Sequence, residues 1–173
     1  PCYGQFHEKQ YVHFNIIGFP YQTDHNNSDS QSINTNRVRI LHSPSDPEGK
    51  GSIYIREAIT NLIQKGYQID YIEISNKSHE EVLMELMQCD FVVDQVFSDL
   101  FLSAFGTEAS FCAKPVIVSG YCLDKQSQQL PSDMIPPVQY CLPSQLESNI
   151  EKLIQDADYR VKLGQNAQKF IIK

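Results

Sequence analysis

Three features of the sequence predict an α/β domain with a mainly parallel sheet between two layers of helices. Short apolar runs of strand length alternate with longer stretches in which apolar residues recur every three or four positions. Gly, Pro and Ser punctuate the junctions between them. The chain has 173 residues and a 41% hydrophobic fraction, enough for one such domain and its core plus a short extension. Strands alternating with helices imply right-handed crossovers, and so a Rossmann-like three-layer arrangement.

Residues 1–36 stand apart. They hold one candidate strand, Tyr11 to Ile17, and then a polar run from Tyr21 to Ser32 with too few apolar side chains to offset its ordering entropy. This part reads as an interdomain linker or extension, and the domain proper as residues 37–173. Val38 to His42 is the first strand of that domain. Pro44, Pro47, Gly49 and Gly51 interrupt it, and a helix follows in which Ile55, Ala58, Ile59, Leu62 and Ile63 recur at helical spacing until Gly66 stops it. Ile69 to Ile74 is the second strand. Ser78 and Glu81 form a capping box for a helix whose buried face is Val82, Leu83, Leu86 and Met87. Phe91 to Val93 is the third strand, residues 103–113 are helical, and the fourth and fifth strands are Pro115 to Val118 and Val138 to Leu142. Two helices close the chain, one around Ile150, Leu153 and Ile154, the other around Val161, Ala167, Phe170 and Ile171.

Composition narrows the function. A net charge of −7 with 14 basic residues and no Lys/Arg block excludes a general nucleic-acid surface, which needs clustered cations. The five cysteines, Cys2, Cys89, Cys112, Cys122 and Cys141, are odd in number and lack CxxC spacing, which reads as reduced thiols packed as small hydrophobes in a cytoplasmic protein. No run approaches a membrane span and no signal peptide opens the chain. The absence of an initiator Met at Pro1 reads as a fragment of a longer protein.

In a parallel sheet, ligands bind at the carboxyl ends of the strands, where strand order reverses. Loops 43–51, 75–78, 94–106 and 119–137 fall there. Loop 43–51 enters a helix and carries Ser43, Ser45, Gly49, Lys50 and Gly51. Its backbone amides and helix end suit a phosphate, and Lys50 adds a point charge. Its glycine spacing is not that of a Walker loop, and a plain strand-to-helix turn reads equally well. The second candidate is the helix start at Phe105, Gly106, Thr107 and Glu108. The amides of 105–107 could receive a diphosphate, and the Glu108 carboxylate could accept from ribose hydroxyls. The plainer alternative is a Glu placed to favour the helix dipole. Asp94 and Gln95 read as orienting the loop after the third strand or as a plain turn, and His42, the one histidine beside the phosphate loop, as a structural hydrogen bonder ahead of a role in the site. Asp156-Ala-Asp158 matches a metal-binding Asp-x-Asp only in spelling, since Asp158 reads as a helix N-cap. His7, His13, His25, His42 and His79 show no ligand spacing, so no metal site is expected.

Lys50-Gly51, the stretch from Cys89 to Gln95, Gly106-Thr-Glu-Ala and Ala113-Lys-Pro-Val-Ile follow one another in an order and at separations that resemble the C-terminal, donor-binding domain of retaining GT-B glycosyltransferases. The resemblance covers residues 37–173. It implies one half of a GT-B fold that binds a nucleotide-sugar donor, with Lys50 on the diphosphate, Glu108 on the ribose and the loop Ile74 to Asn76, with Ser75, at the base. A UDP-sugar is the favoured donor, and no further cofactor is expected. The acceptor, a saccharide or glycolipid, would be held by an N-terminal domain absent from this chain. The resemblance thus makes the fragment inactive alone, makes transfer metal-independent, and leaves room for the intact protein to associate peripherally with a membrane. Two positions depart from the family pattern. Pro44 stands where an Arg is frequent, and Leu100, beside Asp99, stands where the first Glu of a Glu-x7-Glu pair is frequent. They leave a non-catalytic nucleotide-sugar-binding domain as an alternative; a sugar-nucleotide epimerase shares the architecture but should show additional carboxylates and a histidine at the cleft. A flavodoxin-like regulatory module would need an acidic cluster at the first strand, which residues 41–45 do not supply.

Overall fold

A computed structural model describes residues 37–98, 101–121, 128 and 130–172. The linker and strand expected in residues 1–36, and Asp99, Leu100 and Cys122, lie outside the described residues. The elements run β1 (Val38–His42), α1 (Ser52–Gln64), β2 (Ile69–Glu73), α2 (His79–Gln88), β3 (Phe91–Gln95), α3 (Ala104–Phe111), β4 (Val116–Ser119), β5 (Gln139–Cys141), α4 (Leu146–Gln155) and α5 (Ala157–Ile172). Short 3₁₀ turns at Ser132–Met134 and Pro143–Gln145 lie before and after β5.

The strands form one all-parallel sheet in the order β2-β1-β3-β4-β5, a Rossmann-like three-layer fold. The order decides which helices lie on which face. The chain moves outward from β1 to β2 through α1, then crosses back past β1 to β3 through α2. Right-handed crossovers in opposite directions put α1 on one face and α2 on the other. α3 continues in the direction of α2 and shares its face. The core divides accordingly. Ile40, Phe91, Val93 and Ile117 pack with Ile55, Ile59 and Leu62 of α1 and Ile150 and Leu153 of α4. Leu41, Val92, Val116 and Val118 pack with Leu86 of α2 and Phe105 and Ala109 of α3. α5 touches both, through Leu163 on the first side and Ile171 on the second. Buried strands of this kind show as the unbroken apolar runs of the sequence.

Local signals set most boundaries. α1 ends in a Schellman motif, with Tyr67 N–H on Leu62 O at 3.1 Å, Gly66 N–H on Ile63 O at 3.0 Å and Gly66 at φ 98°. The capping box of α2 is present in both directions: Ser78 N–H donates to Glu81 Oε2 at 2.9 Å and Glu81 N–H to Ser78 Oγ at 3.3 Å. The Ser78 N–H, Lys77 and the Ser78 hydroxyl, all donating to it, hold the Glu81 carboxyl down at about 2. The expected N-cap Asp158 is corrected: α5 starts at Ala157, and Asp156 Oδ1 accepts from Tyr159 N–H at 2.8 Å. A cap must sit just before the first helical residue to reach the amide three positions on, which leaves Asp158 in the first turn. Met87, expected on the buried face of α2, is exposed, as is Ile63 of the α1 repeat, because the stripe each helix turns to the sheet is narrower than its run of apolar residues.

Candidate functional site

The sequence-selected residues come together at the carboxyl edge of the sheet, where strand order reverses between β1 and β3. The loop after β1 holds Ser43, Ser45, Gly49, Lys50 and Gly51, and that after β2 holds Ser75. Phe105, Gly106, Thr107 and Glu108 are the second to fifth residues of α3, after β3. Ser45, Gly49 and Ser75 are exposed, Ser43 is half-buried, and Pro44 is buried.

The loop after β1 packs against Val96, the residue that follows β3. Gly51 caps α1 in the left-handed region at φ 71°, which favours glycine, and a Cβ there would also lie 2.8 Å from Val96 Cβ. Val96 N–H donates to Lys50 O at 3.0 Å. Beneath them His42, fully buried, spans β1, β3 and α1. Its Nδ1 meets Val93 O at 2.8 Å and its Nε2 meets Ser52 Oγ at 2.8 Å. A carbonyl only accepts, so the ring proton is on Nδ1 and the Ser52 hydroxyl donates to Nε2. Burial holds the imidazole below its ordinary range despite the Val93 bond. His42 is therefore structural, as the sequence reading has it.

The centre of the edge is Asp94. β3 has one more residue than its partner between the pairs Val93–Ile117 and Gln95–Val118, so Asp94 occupies a bulge, a device that re-aims a side chain. Its fully buried carboxylate accepts from Lys50 Nζ at 3.2 Å and Ser103 Oγ at 2.6 Å on Oδ1, and from Ser103 N–H at 3.1 Å on Oδ2. Ser103 in turn caps α3, its Oγ accepting from Gly106 N–H at 3.2 Å and its carbonyl from Thr107 N–H at 2.9 Å. A Cβ on Gly106 would lie 2.8 Å from Asp94 Oδ2. Asp94 thus orients the loop after β3, as expected. It also does what the sequence did not disclose, balancing the charge of Lys50 and the positive end of α3 together. Two of the three amides expected to face a diphosphate, those of Gly106 and Thr107, are engaged within the cap.

Glu108, largely buried, gives Oε1 to His79 Nε2 at 2.8 Å, and His79 is the first residue of α2. Sequence spacing had singled out no role for His79. A second unforeseen feature rims the edge: exposed Tyr54, Phe97 and Tyr121. The Phe97 ring stands edge-on to Tyr54 at 5.0 Å and stacks with Tyr121 at 6.1 Å. Phe97 has φ 63°, an outlier for a bulky side chain.

Among the described residues, the three cysteines have raised thiols and lie away from the Lys50–Asp94–Ser103 contacts. Cys89 and Cys141 are buried in the core, and burial pushes them up to about 12 and about 11; Cys112 is also raised. Among the described residues no helix is long and apolar enough to cross a membrane. The sequence matches no family model and no curated protein.

Proposed function

We propose that residues 37–173 bind the nucleotide-sugar donor of a retaining GT-B-type glycosyltransferase, a uridine diphosphate sugar by preference. Its sugar would pass to a saccharide or glycolipid held by an acceptor domain outside this chain. The observation that carries the reading is the linked row Lys50–Asp94–Ser103–α3–Glu108 along one carboxyl edge. Lys50 would meet the phosphates and Glu108 the ribose, with the Gly106 and Thr107 amides between them kept in the Ser103 cap. Lys50 has three ammonium donors and gives one to Asp94, so it can reach a phosphate without leaving its counter-ion. Charge growing on the departing diphosphate would be met there.

A second reading has its own support. Asp94 offsets the Lys50 charge, and Pro44 brings no cation to the same loop. Both favour a domain that holds the donor without catalysing. Either reading requires nucleotide binding, which a thermal-shift titration of the 173-residue chain with UDP, GDP and ADP measures. UDP at about a hundred times its Kd should stabilise the fold by roughly 2.7 kcal/mol. Lys50→Ala should weaken UDP binding and leave uridine binding unchanged. No shift with any of the three at millimolar concentration would remove both readings.

A further inference from the structure

We infer that His79 is a positioning residue for ribose recognition, setting Glu108 to select ribonucleotides over 2′-deoxyribonucleotides; this rests on the donor-site reading above. A carboxylate accepts, so the proton in the 2.8 Å contact is on His79 Nε2 and one lone pair of Glu108 Oε1 is spent on it. The ring reaches Glu108 from another element: α2 begins at His79, directly after the loop assigned to the base, whereas Glu108 lies on α3. The pair spans 29 residues of sequence and joins the start of α2 to the middle of α3, two helices that share one face of the sheet. Glu108 keeps 18% of its side chain exposed and His79 keeps 64%, so the pair is open to a ligand.

Glutamate has three side-chain torsions, and an unheld carboxylate would have to be ordered by the ligand. His79 orders it beforehand, leaving Oε2 and the second lone pair of Oε1 for the adjacent 2′- and 3′-hydroxyls. The benefit falls on the diol alone. Losing His79 should therefore lower the preference for ribose more than it lowers binding of the base or phosphates.

The experiment titrates UDP and 2′-deoxy-UDP into the wild-type chain and into Glu108→Gln, His79→Ala and His79→Gln. Wild type should prefer UDP by about tenfold, the equivalent of one hydrogen bond to a charged group at about 1.4 kcal/mol per decade. Glu108→Gln and His79→Ala should each cut the preference to about threefold or less. His79→Gln, whose amide N–H occupies the place of Nε2–H, should restore it. A His79→Ala protein with the wild-type preference would overturn the inference, as would a preference that survives Glu108→Gln; in both cases UDP binding would leave the donor reading standing. Absence of UDP binding by the wild type would remove the two together.

Discussion

The bulge at the end of β3 turns a carboxylate into the core of the candidate site, and the cost and use of that choice meet at Asp94. With Asn in its place the Ser103 contacts can persist but the ion pair with Lys50 cannot. Asp94→Asn should lower stability by about 2 kcal/mol, the scale of a lost charge-assisted hydrogen bond. Lys50 is 17% exposed and can turn to water, so the larger loss of a stranded buried charge is not expected. The same change removes a negative charge from the proposed phosphate position, so UDP affinity should rise as the melting temperature falls. Opposite signs in the two measurements identify Asp94 as the Lys50 counter-ion; a fall in both would make it purely structural. At this scale the sequence exposed Lys50, Asp94 and Glu108 singly, but neither the pairing of Lys50 with Asp94 nor any role for His79. Lys50 and Glu108 stand in recognisable local contexts, but Asp94 lies 44 residues from Lys50 and His79 lies 29 from Glu108. Contacts that a bulge and a helix start create in space leave no periodic trace in the chain.

Helix ends were the easiest features to read, because the groups that satisfy them are neighbours in sequence. Ser78 with Glu81 and the stop at Gly66 are both found as expected. The failure at Asp158 has the same origin: two aspartates flank one junction, and only the position of the break, set by how α4 and α5 pack, decides that Asp156 caps. Ser78→Ala should cost about 1 kcal/mol, a fall of roughly 3 °C in melting temperature. The box also has an acid limit. Because the folded Glu81 carboxyl is lowered to about 2, its contribution is complete above the unfolded value of about 4.3 and disappears as pH falls from there through about 2. Urea titrations at pH 7 and pH 2 should therefore show the wild-type advantage over Glu81→Ala shrinking in acid. An advantage equal at both pH values would take Glu81 out of the cap.

Across the whole molecule, the alternation of strands and helices was enough for the class of fold, since a crossover helix commits its flanking strands to run parallel. The strand order was not legible. All five apolar runs can be buried on both faces, and nothing in their composition says that β1 pairs with both β2 and β3. That pairing brings the loop carrying Lys50 beside the strand carrying Asp94, with residues 52–90 as the detour between them. The detour gives the site a folding consequence. A partly folded chain that has built β1–α1–β2 alone, or β3–α3–β4 alone, contains no version of it, because each half supplies one side. Closing so long a loop is slow, which places the assembled edge among the last things to form and makes it a marker of cooperative completion. Amide hydrogen exchange can read this directly. On addition of UDP, Leu41 in β1 and Val93 in β3 should slow by the same factor, as amides that open only together do. Slowing confined to the loops after these strands would mean that the two halves of the sheet breathe apart, and that nucleotide joins them only locally.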